Sequence, residues 1–382
     1  MGVRGSLLGI GTDVGGSIRY PANANGIYGF KPTPQRVSLK GLSLPFIGRS
    51  GQNDILVTLG PMGRSVDDLA RVCKAWMVEK MWTRDPLVTP KPFDHHAYLH
   101  DRSSLTSSSD GRPLRVGYFL TDNWFEPCSA SRRAVLEAKA GLERAGVEVV
   151  AVSLPEGQDG WQVMRLFYGI LGADGSMVTI LKGMEGEERT NHTDTLHFLA
   201  SLPDVLRKGL DWLLSFKGEE RARLFNAAFR RHGLSVREYW ALIAATELFQ
   251  QSWLGLLDDH GLDGVLCAGA SLPAFPHGLA ASAGYSVSHL PLFNLLHWPA
   301  GVVPITTVRP DETTYHARES LPVNQQDDGV AAANAVLANA TGLPMGVQLA
   351  TRPNMDELCL HLMGLLEKEV GFKDVPDCAL VK

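Results

Sequence analysis

Residues 114–152 carry the pattern that most restricts the fold. Leu114 to Leu120 (LRVGYFL) is an apolar run of strand length, and Ser131 to Ala145 sets Val135, Leu136, Leu142 and Ala145 at helical spacing. Gly146 stops that helix, and Val147 to Val152 (VEVVAV) has the β-branched content of a second strand. Strand, helix and strand in this order predict a parallel pair joined by a right-handed crossover. Further strands are expected at 262–267, 302–308 and 344–350, with helices over 196–257. Ser65 with Asp68 reads as the capping box of a helix whose apolar face is Val66, Leu69, Ala70, Val72, Cys73 and Trp76. A last helix is expected from Asn354, with Glu357 completing its cap, to about Glu367. The sum predicts an α/β fold: one domain over 1–382, built on a mixed, mostly parallel twisted sheet with helices on both faces. The Ser-rich stretch 102–112 reads as an exposed linker.

The chain's 382 residues can bury a sizeable core, and 45% hydrophobic with 20% charged residues is the soluble globular range. A net charge of −5 gives no basic footprint, so no nucleic-acid partner is expected. The five cysteines are scattered without a CxxC pair, and no cluster of histidines and carboxylates stands out. No metal and no cofactor are therefore expected. No secretory signal and no apolar run of about 18 residues is visible. This predicts an intracellular chain, cytoplasmic or peripheral on internal membranes. Met1 to Ser6 fits a myristoylation pattern, which is short enough to arise often by coincidence.

Gly9-Ile10-Gly11-Thr12-Asp13-Val14-Gly15-Gly16-Ser17-Ile18-Arg19 is the segment richest in chemistry. The spacing of its glycines does not meet GxGxxG, and Gly-Lys-Ser/Thr is absent, so a nucleotide loop is disfavoured. Two readings remain. One is a tight turn whose glycines allow positive φ. The other is a nucleophile loop, in which glycines before a serine leave N–H groups open to receive an oxyanion. Asp13 and Arg19 flank it with opposite charges and would frame its shape.

Residues 9–33, GIGTDVGGSIRYPANANGIYGFKPT, resemble the amidase signature almost throughout. Gly60-Pro61 with Arg64 to Leu69 is similar to the family's GPxxRSxxDL helix start. Phe167-Tyr168-Gly169 with Ala173-Asp174-Gly175, residues 298–308 (WPAGVVPITTV), Gly342 to Gln348 and Glu357 to Leu360 resemble its fatty-acid amide hydrolase branch. The resemblance implies Ser17 as the acyl-forming nucleophile and the N–H groups of Val14, Gly15, Gly16 and Ser17 as the oxyanion hole. Lys31 belongs to the structural end of the motif and is not the catalytic lysine.

In that family a lysine and a second serine move the protons, and both precede the GxGTDxGGS segment. Neither has a counterpart here, and Ser6 is no match. The expectation is a fold incomplete at its N-terminus, from a shortened gene model or product, and inactive as it stands. The substrate expected from the resemblance is a long-chain fatty-acid amide. A non-catalytic remnant that binds lipid amides or an intact paralogue is the alternative; a general small-amide hydrolase or an amidotransferase subunit is a second. Residues 196–216 are strongly apolar, with Leu202, Val205, Leu206, Leu210, Leu213 and Leu214 at helical spacing, Trp212 and Phe216 beside them, and arginines and lysines around. By pattern they are either core helices or an interfacial face. The resemblance implies a membrane-cap insertion over 196–232, with Leu206, Leu210, Trp212, Leu213 and Phe216 as its contacts. A homodimer is the other partner considered.

Overall fold

The computed structural model describes residues 5–42, 52–99, 111–175, 198, 201–279, 283–316 and 328–372. Most of the linker at 102–112 and the first part of the 196–232 segment lie outside the described residues, as does the start of the Met1 to Ser6 pattern.

Eight strands form one sheet: β1 (Leu8–Asp13), β2 (Tyr28–Lys31), β3 (Thr58–Gly63), β4 (Arg115–Tyr118), β5 (Glu148–Ala151), β6 (Gly264–Ala268), β7 (Ala300–Thr307) and β8 (Pro344–Thr351). Their spatial order is β1-β3-β2-β7-β8-β6-β4-β5. The expected βαβ unit is present: β4 and β5 pair in parallel, joined by α4 (Ser129–Arg144). The sheet as a whole is not mostly parallel. Only β4–β5 and β4–β6 run parallel, and the other five pairings are antiparallel. Connection length misled the expectation. A long helical connection permits a parallel return but does not impose one.

Side-chain alternation splits the core across the sheet. On β6, Leu266 and Ala268 enter one cluster, while Val265 and Cys267 enter the other. The first cluster is covered by α2 (Val66–Trp76), α4 and α11 (Asp356–Val370); the second by α5 (Gly160–Leu171), α8 (Val236–Asp259) and α9 (His289–Leu295). Helices thus lie on both faces. Ser65 caps α2 by accepting from the Asp68 N–H. On α4 the buried face is Ala134, Val135, Ala138, Gly141 and Leu142, whereas Leu136 is exposed.

α11 begins at Asp356, not Asn354, and Met355 provides no side-chain cap. Of the expected capping residues, Glu357 is taken by tertiary partners, while Asn354 donates only its backbone N–H, to Thr33 Oγ1. Asp356 accepts from Thr33 N and Oγ1 and from Arg36, and Glu357 accepts from Arg36 and from the Asp94 N–H. The end of the 9–33 segment is thereby bolted to the last helix.

Three helices fill the 201–259 region: α6 (Asp204–Lys217), α7 (Glu220–Ala228) and α8. α6 packs on α7 yet buries none of its own residues.

Candidate active site

Asp13 ends β1, and α1 (Arg19–Ala24) starts six residues later. Between them the chain makes a sharp loop with Ser17 exposed at its crest. Gly16 has φ +122°, a conformation that L side chains rarely adopt. A Cβ there would stand 2.6 Å from the Leu290 Cβ, and one on Gly15 would stand 2.7 Å from Phe167 Cζ. The loop is thus pinched between α9 and α5: at Gly16 only bare backbone fits, and at Gly15 a side chain would have to displace the tip of the Phe167 ring.

A buried pair of charges sets its shape. Asp13 Oδ1 accepts from the Gly16 N–H (2.8 Å) and Oδ2 from the Ile18 N–H (3.2 Å). Arg19 returns to the same carboxylate through Nε and Nη2, both at 3.1 Å. The remaining donors of Arg19 reach Leu290 O (2.9 Å), Gln348 Oε1 (2.8 Å) and Asn294 Oδ1 (2.5 Å). Asn294 Nδ2 also donates to Asp13, at 3.0 Å. All N–H groups of the guanidinium are therefore used, as a buried arginine requires. Burial alone would raise the Asp13 pKa; the Arg19 guanidinium, with help from Lys31 and Asn294, overrides it and lowers the carboxyl to about 2. Asp13, named with Arg19 as the pair that would frame the loop, thus bonds to two of its amides and to Arg19.

These bonds sort the four amides of the expected oxyanion hole. The Gly16 N–H already donates to Asp13, which removes it from the set open to an anion. Among the described residues, no hydrogen bond is donated by the N–H of Val14, Gly15 or Ser17. Nor does any join the Ser17 hydroxyl to a lysine, histidine or carboxylate among them. Lys31 is buried and donates to Pro32 O. Burial, then repulsion from Arg19, lowers its pKa to about 7.

Asn294, Gln348 and the Leu290 carbonyl escaped the sequence reading. Gln348 carried a signal: it is the one polar amide in the otherwise apolar strand Pro344 to Ala350. A buried polar side chain in a core strand needs a partner, and this one has Arg19, the Ala268 carbonyl (2.9 Å) and the His289 carbonyl (3.3 Å).

The expected membrane residues lie on α6. On α6, Leu206, Trp212, Leu213 and Phe216 are exposed, Trp212 by 70% and Phe216 by 80%, while Leu210 is half-buried. Trp212 and Phe216 stack with ring centroids 6.0 Å apart. The core-helix reading therefore fails for α6. A groove of about 880 Å³ runs between α5, α7 and α8, with Trp161, Leu166, Leu224 and Leu242 among its walls. α5 links the two places, carrying Phe167 to Gly15 and Leu166 to the groove. Among the described residues no group of His, Cys, Asp and Glu could hold a metal ion, and no helix is long and apolar enough to cross a membrane.

The family model "Amidase" matches residues 1–360. Fatty-acid amide hydrolase 1 of Sus scrofa is 34% identical over 367 residues, covering 95% of this chain and 59% of the relative. Fatty acid amide hydrolase 1 of Caenorhabditis elegans is 31% identical over 380 residues, covering 98% and 61%. The chain thus spans about three-fifths of the length of these curated relatives. Among solved structures, a fatty acid amide hydrolase superposes with TM-score 0.68 at 20% identity, over 96% of this chain and 56% of that one. A 6-aminohexanoate cyclic dimer hydrolase superposes with TM-score 0.62 at 19% identity, over 96% and 65%. These structural likenesses speak for the fold, and the sequence matches for the lineage: the chain belongs to the Amidase family.

Proposed function

We propose that this chain is an amidase core that cleaves carboxylic amides through an acyl-enzyme on Ser17, with long-chain fatty-acid amides as its substrate class. One observation carries the reading. Ser17 stands exposed on a loop locked by Asp13 and Arg19, beside the N–H groups of Val14, Gly15 and Ser17, which no described hydrogen bond occupies.

The chemistry follows from that arrangement. Ser17 Oγ attacks the carbonyl carbon, and the carbonyl π pair moves onto oxygen. The free amides receive that oxyanion, each well-aimed donor lowering the barrier by about 2.7–4 kcal/mol. Collapse expels the amine, which must take up a proton, and water then hydrolyses the serine ester. A base has to remove the Ser17 proton in the first step. No described residue hydrogen-bonds to Ser17 in that role, so the chain expressed alone is expected to acylate slowly. The resemblance of residues 9–33 to the amidase signature implies a lysine and a second serine for the task.

The lipid preference rests on the names of the relatives, fatty-acid amide hydrolases, and on the exposed apolar face of α6 beside Arg207 and Lys208. Such a face suits contact with a membrane surface, where long-chain amides partition. The missing base contact favours a second reading, a non-catalytic chain that binds lipid amides.

Fluorophosphonate labelling tests the first reading. Covalent label mapped by mass spectrometry to Ser17, and lost in Ser17→Ala, supports it; folded protein that takes no label supports the second. Oleamide and acetamide hydrolysis, measured side by side, then tests the lipid preference.

A further inference from the structure

Two jaws hold the Ser17 loop: α9, with Leu290 against Gly16, and α5, with Phe167 against Gly15. α9 is only seven residues long, yet it meets the frame of the loop repeatedly. Leu290 O and Asn294 Oδ1 accept from Arg19, and Asn294 Nδ2 donates to Asp13. A helix this short does not hold itself in place. Ser288, ahead of its first turn, makes no side-chain cap. Its position must be fixed from outside.

His289, the first residue of α9, supplies that fixture. Its buried ring stacks on Phe119, with centroids 6.1 Å apart and planes 11° from parallel. Nδ1 lies 3.4 Å from Ser271 Oγ and 3.9 Å from Asp122 Oδ2. Asp122 is buried too, and it touches the other jaw. Its carbonyl accepts at 2.7 Å from the N–H of Gly160, the first residue of α5, and its Oδ1 accepts from the Trp124 N–H at 3.1 Å. A Cβ on Gly160 would stand 2.7 Å from Asp122 Oδ2, so the absent side chain lets the carboxylate approach the helix start. Both jaws therefore meet where Asp122 faces His289.

Donor and acceptor logic places the ring's hydrogen. The one hydroxyl hydrogen of Ser271 goes to Phe125 O at 3.4 Å, so its oxygen offers only lone pairs to Nδ1. Asp122 Oδ2 offers lone pairs as well, and no described residue hydrogen-bonds to it. At 3.9 Å it is beyond hydrogen-bond reach, yet a carboxylate that close repels a bare ring lone pair. Both neighbours call for a hydrogen on Nδ1. We propose that Asp122 and His289, with that hydrogen on Nδ1, are positioning residues: by locking α9 to the start of α5 they set the gap in which the Ser17 loop is held. They act through Leu290 and Phe167 rather than on the substrate. The effect on reactivity rests on the acyl-enzyme reading; the effect on loop geometry does not.

The full chain labelled with 15N histidine and 15N glycine tests this by NMR. The His289 ring signal is the one lost in His289→Asn, and in wild type it should show the hydrogen on Nδ1. Asp122→Asn keeps an oxygen for the Trp124 N–H and turns a new N–H toward the ring, so the hydrogen should move to Nε2. The Gly15 and Gly16 amide resonances should shift in His289→Leu and return in His289→Asn, whose amide nitrogen stands where Nδ1 stood. Fluorophosphonate labelling of Ser17 should fall about tenfold to a hundredfold in His289→Leu, the scale of a misplacement near 1 Å, and recover in His289→Asn. Wild type that takes no label defeats the acyl-enzyme reading, while the glycine resonances still decide this proposal. Should His289→Leu fail to fold, shifted glycine resonances in Asp122→Asn carry the same test. A hydrogen on Nε2 alone in wild type overturns the proposal. So do glycine resonances that stay in place in these variants, or a shift that His289→Asn does not reverse.

Discussion

Gln348 Oε1 accepts from Arg19 Nη1 at 2.8 Å, joining two buried residues 329 positions apart in the sequence. The bond ties β8 to the frame of the Ser17 loop. It makes the loop's geometry a property of the folded sheet rather than of its own short segment. Gln348→Ala should leave an Arg19 donor buried without a partner and cost about 1–3 kcal/mol. Denaturant unfolding measures this; a loss under a few tenths of a kcal/mol would show that the bond holds nothing in place.

Asp13→Asn should be costlier, because it strands the Arg19 charge in the interior. Removing one partner of a buried ion pair typically costs about 3–5 kcal/mol. The same pair sets an acid limit. The Asp13 pKa is lowered from 3.8 to about 2, so its stabilisation is complete above the ordinary carboxylate range and is lost as pH falls through about 2. Acid unfolding monitored by tryptophan fluorescence should show wild type losing stability toward Asp13→Asn over that window.

Gly16→Ala faces two obstacles, a positive φ and a Cβ 2.6 Å from Leu290 Cβ. Strain of this kind costs about 1–3 kcal/mol, and relief requires the loop to move. Fluorophosphonate labelling of Ser17 should fall sharply. Gly15→Ala meets only the far edge of the Phe167 ring, which can turn aside, so its labelling should fall less. The reverse order would contradict the pinched-loop geometry.

Lys31 gives an alkaline signature. Its folded pKa of about 7 lies below the ordinary 10.5, so between those values the unfolded chain holds a proton that the folded chain has released. Stability contributed at this site therefore rises with pH through that window. Lys31→Met should be more stable than wild type near neutrality, and the gap should narrow toward pH 10. Urea titrations at several pH values check it, and a gap independent of pH would contradict it.

Trp212→Arg with Leu213→Arg should abolish liposome flotation while leaving unfolding free energy within about 0.5 kcal/mol, as surface changes usually do. The basis is that α6 buries none of its residues. Unchanged flotation would remove the membrane reading. Lost stability would instead mean that the face packs on protein.

The sequence by itself determined what local chemistry dictates. The βαβ unit was readable from apolar runs and a stopping glycine at 146, and the Ser65 cap from one side chain and its neighbour's amide. The Gly-Gly-Ser loop was readable because residues 9–33 form one continuous segment. Tertiary structure decided the rest. Strand direction depends on where each chain returns to the sheet, which a period of two does not encode, and so the antiparallel pairings of β7 and β6 with β8 went unread. Glu357 looked like the closing residue of a cap begun at Asn354 until Arg36 and the Asp94 N–H claimed it. Gly16 looked like one more open amide until folding placed it against Asp13. Glu357 could have capped its own helix, while the Gly16 N–H met a carboxylate only three residues away. Burial settled both, because it removes water as a competitor, so that a buried charge must be met by every group the fold brings to it.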